Sequence, residues 1–95
     1  MPAARRTRPT LVRLVFTPNG WEDCLYWQRT DKTTLNRVNR LISDMMRDPL
    51  SGIGKPEQLR NILIGLWSRR IDEEHRLVYQ VDDEDIVIIQ ARSHY

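Results

Sequence analysis

Residues 11–16 (LVRLVF) are a run of branched and aromatic side chains that predicts a strand. Thr17 followed by Pro18 then signals a helix start: a hydroxyl to accept a first-turn N–H, and a proline whose missing donor costs nothing there. Trp21, Cys24, Leu25 and Trp27 recur at helical spacing through a short first helix. Asp31 offers a second N-cap. Beyond it Leu35, Val38, Leu41, Ile42, Met45 and Met46 keep one face apolar, while Lys32, Arg37, Arg40, Asp44 and Arg47 cover the other, until Pro49 ends the helix. The stretch PLSGIGKP (49–56) is a loop, and Leu59 with Ile62–Ile64 suggests a short turn of helix or an apolar strap. Three strands follow, at Leu66–Ile71, Arg76–Val81 and Ile86–Ala91, joined by the short acidic segments Asp72–His75 and Asp82–Asp85 that favour antiparallel hairpins. The order of strand, two helices and three strands makes an α+β domain with helices on one face of an antiparallel sheet.

Side chains alternate along a strand, so parity sorts them between faces. Trp67 and Ile71 are apolar, with Ser68 and Arg70 of opposite parity; Leu77, Tyr79 and Val81 are apolar, with Arg76 and Gln80 opposite. At the end of the third strand Gln90, Arg92 and His94 share one parity. One face therefore packs on the helices, and the other gathers Ser68, Arg70, Arg76, Gln80, Gln90, Arg92 and His94. Periodicity leaves that second face two readings: the solvated side of a half-buried sheet, or an anion-binding surface whose forked guanidinium donors suit phosphate oxygens. The chain closes on His94-Tyr95 directly after a strand-like run, so a sheet is expected to hold a group that titrates near neutrality beside a ring that stacks on bases.

With 95 residues, 40% hydrophobic and 29% charged, the chain is expected to form one domain over residues 11–95. Residues 1–10 (MPAARRTRPT) lack apolar periodicity and read as a disordered basic arm. The net charge of +2 is unevenly placed. Residues 1–13 hold four arginines and no acid, so the remainder has 11 basic against 13 acidic residues. Any nucleic-acid contact must then come from a local basic patch. A lone cysteine, Cys24, excludes an internal disulfide, suits a reducing cytosol and, inside an apolar pattern, is expected to be buried filler. No apolar run approaches membrane-spanning length. Two histidines and one cysteine are too few for a metal site at ligand spacing, and the acidic run Asp82–Asp85 lacks the glycine and spaced ligands of a calcium loop.

Several segments together resemble one family. LYWQRTDK at 25–32, GKPEQL at 54–59, GLWSRRIDEEHRLVY at 65–79 and the terminal His94-Tyr95 are similar to the YoeB group of bacterial toxins, within the RelE-like ribosome-dependent messenger-RNA endonucleases. The resemblance covers residues from about 12 to 95. It departs from the family in the longer N-terminal arm and in Leu66, where an aromatic is common; no motif position is lost. What it implies is a RelE-like microbial ribonuclease fold and metal-independent, cofactor-free cleavage of mRNA in the ribosomal A site. The RNA's own 2′-hydroxyl attacks phosphorus, leaving a 2′,3′-cyclic phosphate and a 5′-hydroxyl.

Carried over residue by residue, the resemblance makes Glu57 the general base and His94 the general acid. Arg76 stabilises the transition state, with Arg70 holding phosphate, Glu74 supporting these arginines and Tyr95 positioning the substrate. Lys55, Arg60, Arg70 and Arg92 would bind RNA, with Lys55 and Arg60 also keeping Glu57 ionised. Each has a plainer reading: Glu57 as a helix-start carboxylate, Glu74 and Arg76 as a hairpin ion pair of small worth, Tyr95 as a cap on the core. His75 reads as a turn histidine outside the chemistry.

The partners implied are a YefM-like antitoxin that occludes the basic face, and the 70S ribosome with its mRNA; self-association is also expected. The setting implied is cytoplasmic, with no membrane role. Two other classes stay open on the residues alone, a non-cleaving ParE-like gyrase inhibitor and a passive RNA-binding module, because fold does not fix function.

Overall fold

A computed structural model describes residues 12–59 and 65–93. The expected arm at 1–10, Arg60, the apolar residues Ile62–Ile64 and the terminal His94-Tyr95 lie outside the described residues. Among the described residues the order is β1 (Arg13–Phe16), α1 (Pro18–Thr30), α2 (Lys32–Arg47), β2 (Glu57–Gln58), β3 (Leu66–Arg70), β4 (Arg76–Val81) and β5 (Asp85–Gln90). The strands form one sheet in the order β1-β5-β4-β3-β2.

Both helices begin where the capping chemistry places them. Thr17 Oγ1 accepts the Gly20 N–H at 3.0 Å, with Pro18 at the first helical position. Asp31 Oδ1 accepts the Thr34 N–H at 3.1 Å, and α2 stops at Asp48, just ahead of Pro49. The buried residues Val38, Leu41 and Met45 line the inner face of α2. They meet Cys24 and Trp27 of α1 and Ile71, Leu77, Tyr79, Ile86, Ile88 and Ala91 of the sheet in a single core. Each fully buried aliphatic side chain there contributes about 1.5–3 kcal/mol. Cys24 is buried filler as expected, and its thiol pKa is pushed up by burial and the neighbouring Asp23. Helix α1 lies so close to β5 that a Cβ on Gly20 would stand 2.3 Å from the Ile88 carbonyl oxygen.

The hairpins β3–β4 and β4–β5 are antiparallel, as the short connections predict. Strand β1 instead joins β5 in parallel, Phe16 opposite Ile88, so the sheet is mixed. The two helices carry the chain from β1 at one edge of the sheet to β2 at the other, and the antiparallel strands then lead back to β5 beside β1. A further correction concerns Glu57. Its segment is no helix start: Glu57 and Gln58 form a two-residue edge strand antiparallel to β3.

One residue that the sequence pattern left unassigned and one that it put on the solvated face come together inside the fold. Arg69 shares parity with Trp67 and Ile71 and is fully buried on the apolar side. Asp44, expected on the solvated face of α2, turns to meet it, Oδ2 accepting from Arg69 Nη1 at 2.8 Å. The rest of the guanidinium donates to Tyr79 Oη and to the carbonyls of Asp48, Ser51 and Ile53 at 2.8–3.2 Å. A charge in the core is tolerable because every donor has a partner.

The pairing of β4 with β5 shifts at Val78/Tyr79: Tyr79 faces Ile88, yet Val78 faces Gln90. One extra residue of β5 is thereby inserted, a β-bulge. Strict alternation from Ile86 and Ile88 would turn Gln90 toward the helices. The bulge carries it to the opposite face.

Candidate active site

On the face away from the helices, cross-strand register sets Glu57 (β2) beside Ser68 (β3), Val78 (β4) and Gln90 (β5). Arg76 opens β4 on the same face, directly opposite Arg70 at the end of β3. Its guanidinium crosses the sheet: Nε donates to Ser68 Oγ at 2.7 Å and Nη2 donates to Glu57 Oε1 at 3.0 Å. Ser68 is fully buried and Glu57 is exposed, so one end of the arginine is tied into the protein while the other meets solvent-facing carboxylate. Two arginines directly opposite one another repel, a cost that the Glu57 carboxylate offsets in part and that an anionic ligand would offset further.

The backbone around them is pinned. Arg70 donates its N–H to Gly54 O at 2.7 Å, and Arg37 Nη2 donates to the Arg70 carbonyl at 3.2 Å. Gly54 itself has φ +81, and a Cβ there would stand 2.6 Å from Leu41 Cδ2, so this approach of loop to strand needs glycine. The next residue, Lys55, also has positive φ (51°), a strained conformation two residues ahead of Glu57. The other non-glycine residue with positive φ among those described is Ser93 (65°), immediately before His94. Its carbonyl accepts the Arg76 N–H at 2.9 Å, so the chain leading into His94 starts against the backbone of Arg76.

The structure thus brings together Glu57, Arg76 and Arg70, with Lys55 on the adjoining loop. Two expected members are placed elsewhere. Glu74 is exposed, and its carboxylate lies 3.7 Å from His75 Nε2 instead of on the arginines. Arg92 lies 4.0 Å over the Tyr26 ring of α1 and 3.8 Å from the Asp23 carboxylate, drawn toward the first helix and away from Arg76. The reason is local: the chain leaves β5 after Gln90, so parity no longer governs residue 92. Arg60, His94 and Tyr95 lie outside the described residues. Ser68 lies on the face that its parity predicts, with a task that its position in the sequence did not mark. Its buried hydroxyl holds the arginine, and the only sequence signal was a small hydroxyl among larger polar residues of like parity.

Comparison with known proteins gives the chain a family. A family model described as YoeB-like toxin of bacterial type II toxin-antitoxin system matches residues 16–95. The chain belongs to this family of toxins. Toxin YoeB of Streptomyces coelicolor is 54% identical over 84 residues, covering 88% of this chain and all of the relative. Among solved structures, a YoeB/ParE toxin from Agrobacterium tumefaciens superposes with a TM-score of 0.85 at 44% identity, over 88% of this chain and all of that one. A YoeB dimer from Staphylococcus aureus gives 0.83 at 44% identity, over 90% and 99% of the two chains. A YoeB-YefM complex from the same organism gives 0.80 at 44% identity, over 88% and 98%. The α+β fold of the toxin, with helices on one face of its sheet, is that of these YoeB structures.

Proposed function

We propose that this toxin is an endoribonuclease that cleaves mRNA in the ribosomal A site and so stops translation. The observation that carries the reading is the guanidinium of Arg76, held by Ser68 and bonded to Glu57 at 3.0 Å with Arg70 opposite. A phosphodiester entering between the two arginines supplies a second anion and competes with Glu57 for Arg76 Nη2. The carboxylate released from that bond is then available as a base beside the bound phosphate.

In the reaction so read, Glu57 takes the proton of the 2′-hydroxyl as that oxygen bonds to phosphorus. Arg76 and Arg70 stabilise the added negative charge, and the bond from phosphorus to the 5′-oxygen breaks. His94 supplies the proton to the departing oxygen, and Tyr95 orients the nucleotide. The products are a 2′,3′-cyclic phosphate and a 5′-hydroxyl, with atoms and charge balanced by side chains alone. Each proton transfer contributes roughly 10²–10⁴-fold and each charge-stabilising donor roughly 10²–10³-fold.

The relative from S. aureus is solved with YefM and also as a dimer. By that likeness this toxin binds a YefM-like antitoxin over the Arg70–Arg76 face and self-associates, in the bacterial cytoplasm. The test is to add the protein to a translating extract and map messenger 5′ ends, with Glu57→Ala and His94→Ala for comparison. Cuts confined to the A site, bearing cyclic-phosphate ends and lost in both variants, are expected. Unchanged cleavage in both would overturn the assignment of base and acid.

A further inference from the structure

The C-terminal segment is held from two sides before it reaches His94. From α1, Asp23 Oδ2 accepts the Ala91 N–H at 2.9 Å and Trp27 Nε1 donates to the Ala91 carbonyl at 2.8 Å. From the β3–β4 turn, His75 Nδ1 accepts the Ser93 N–H at 2.7 Å, while the adjacent Arg76 N–H donates to the Ser93 carbonyl. A backbone N–H can only donate, so Nδ1 bears the lone pair and the imidazole proton resides on Nε2, 3.7 Å from Glu74 Oε1.

The ring is itself fixed. Trp27 meets it edge-on at 4.9 Å between centroids. Asp72 Oδ1 accepts the N–H groups of both Glu74 and His75 at 2.8 and 2.7 Å, closing the turn, and the His75 carbonyl accepts from Ile71 N at 2.9 Å. Ser93, held in the left-handed region at φ 65°, would not rest there without such restraint. Its N–H goes to His75 and its carbonyl to Arg76, so both polar groups of its backbone are tied to consecutive residues of one strand start.

We propose that His75 is a positioning residue: its imidazole Nδ1 captures the Ser93 N–H and, together with the Arg76 N–H on the Ser93 carbonyl, fixes the backbone immediately ahead of His94. The inference rests on the ribonuclease reading for its catalytic consequence, and on the hydrogen bond alone for its structural one. It adds a task to the reading of His75 as a turn histidine outside the chemistry.

The test exploits ring topology. In His75→Asn the amide Oδ1 occupies the place of Nδ1, whereas in His75→Gln the polar group lies one bond further out, near the place of Nε2. Gln is closer to imidazole in size, so a role in packing against Trp27 ranks Gln above Asn, and a role as acceptor ranks Asn above Gln. In the full chain, hydrogen exchange of the Ser93 amide, followed by ¹H–¹⁵N NMR, is expected to quicken roughly tenfold in His75→Ala and His75→Gln, the worth of one ordinary hydrogen bond, and to stay near wild type in His75→Asn. In the translating extract the rate of cleavage at saturating messenger is expected to fall up to about 100-fold in Ala and Gln, with the half-saturating concentration little changed, and to be largely restored in Asn. Ser93 protection equal in Asn and Gln, or better in Gln, overturns the proposal. A wild-type protein that cuts no RNA removes the ribonuclease reading but leaves the amide measurement to decide the hydrogen bond.

Discussion

Arg69 is the side chain on which the loop ahead of Glu57 depends. It is fully buried and uses all of its guanidinium donors: Nε on Tyr79, Nη1 on Asp44 and Ile53, Nη2 on Asp48 and Ser51. Three of those acceptors are backbone carbonyls of residues 48–53, which no other side chain among the described residues satisfies. Arg69→Met keeps the length and apolar bulk but leaves the Asp44 carboxylate without its buried cation and the carbonyls without donors. Removing one partner of a buried pair costs about 3–5 kcal/mol. Asp44 retains the Ile53 N–H and the surface Arg47, which places the expected loss near the lower end, about 3 kcal/mol. Against a total stability of about 5–15 kcal/mol for a domain of this size, that is a large fraction. Urea unfolding at pH 7, followed by tryptophan fluorescence, measures it, and the melting temperature should fall by roughly 12–24 °C. Arg69→Lys, with the charge but not the fork, should recover only part of the loss. Adding Asp44→Asn to Arg69→Met should cost less than the two single losses combined, because the stranded charge is gone. A loss below about 1 kcal/mol in Arg69→Met would refute the claim that this cluster holds the loop.

Gly20→Ala should destabilise by about 1–3 kcal/mol in the same urea assay, although alanine is the better helix former, because the new methyl meets the Ile88 carbonyl; a gain in stability would show that α1 can move off β5 freely. Asp44 has its carboxyl pKa lowered to about 2 by the Ile53 N–H first, then by Arg69 and Arg47. A folded-state pKa below the unfolded one adds stability that is present above about pH 4 and disappears as pH falls toward 2. Acid titration of unfolding should therefore show a drop in that window that Asp44→Asn flattens. Arg76→Lys cannot bridge Ser68 and Glu57 with a single ammonium, so cleavage should fall roughly 10²–10³-fold in the extract; activity near wild type would remove the arginine from the chemistry. Ser68→Ala frees Arg76 Nε and should cost roughly tenfold in rate, equivalent to one hydrogen bond, with Arg76 otherwise in place.

Local chemistry was legible in the chain by itself. Thr17-Pro18 and Asp31 mark helix starts and Pro49 a helix end because capping involves neighbours within one turn. The apolar stripe of α2 and the alternation of β3 and β4 announced the core, and the acidic turns announced the hairpins. The motif residues singled out Glu57, Arg70 and Arg76, which the register does bring to one face. Tertiary structure alone decided the parallel docking of β1 on β5 and the recruitment of Glu57 into an edge strand, since pairing partners distant in sequence leave no periodic trace. It also decided the burial of Arg69, where parity pointed inward but charge pointed outward until Asp44 and the loop carbonyls supplied every bond. The bulge that turns Gln90 over, and the departure from β5 that sends Arg92 to Tyr26 and Ser93 to His75, are of the same kind. A repeat of two residues determines which face a side chain takes only while the strand stays regular, and the segment leading into His94 is where the packing of α1 and the β3–β4 turn overrules it.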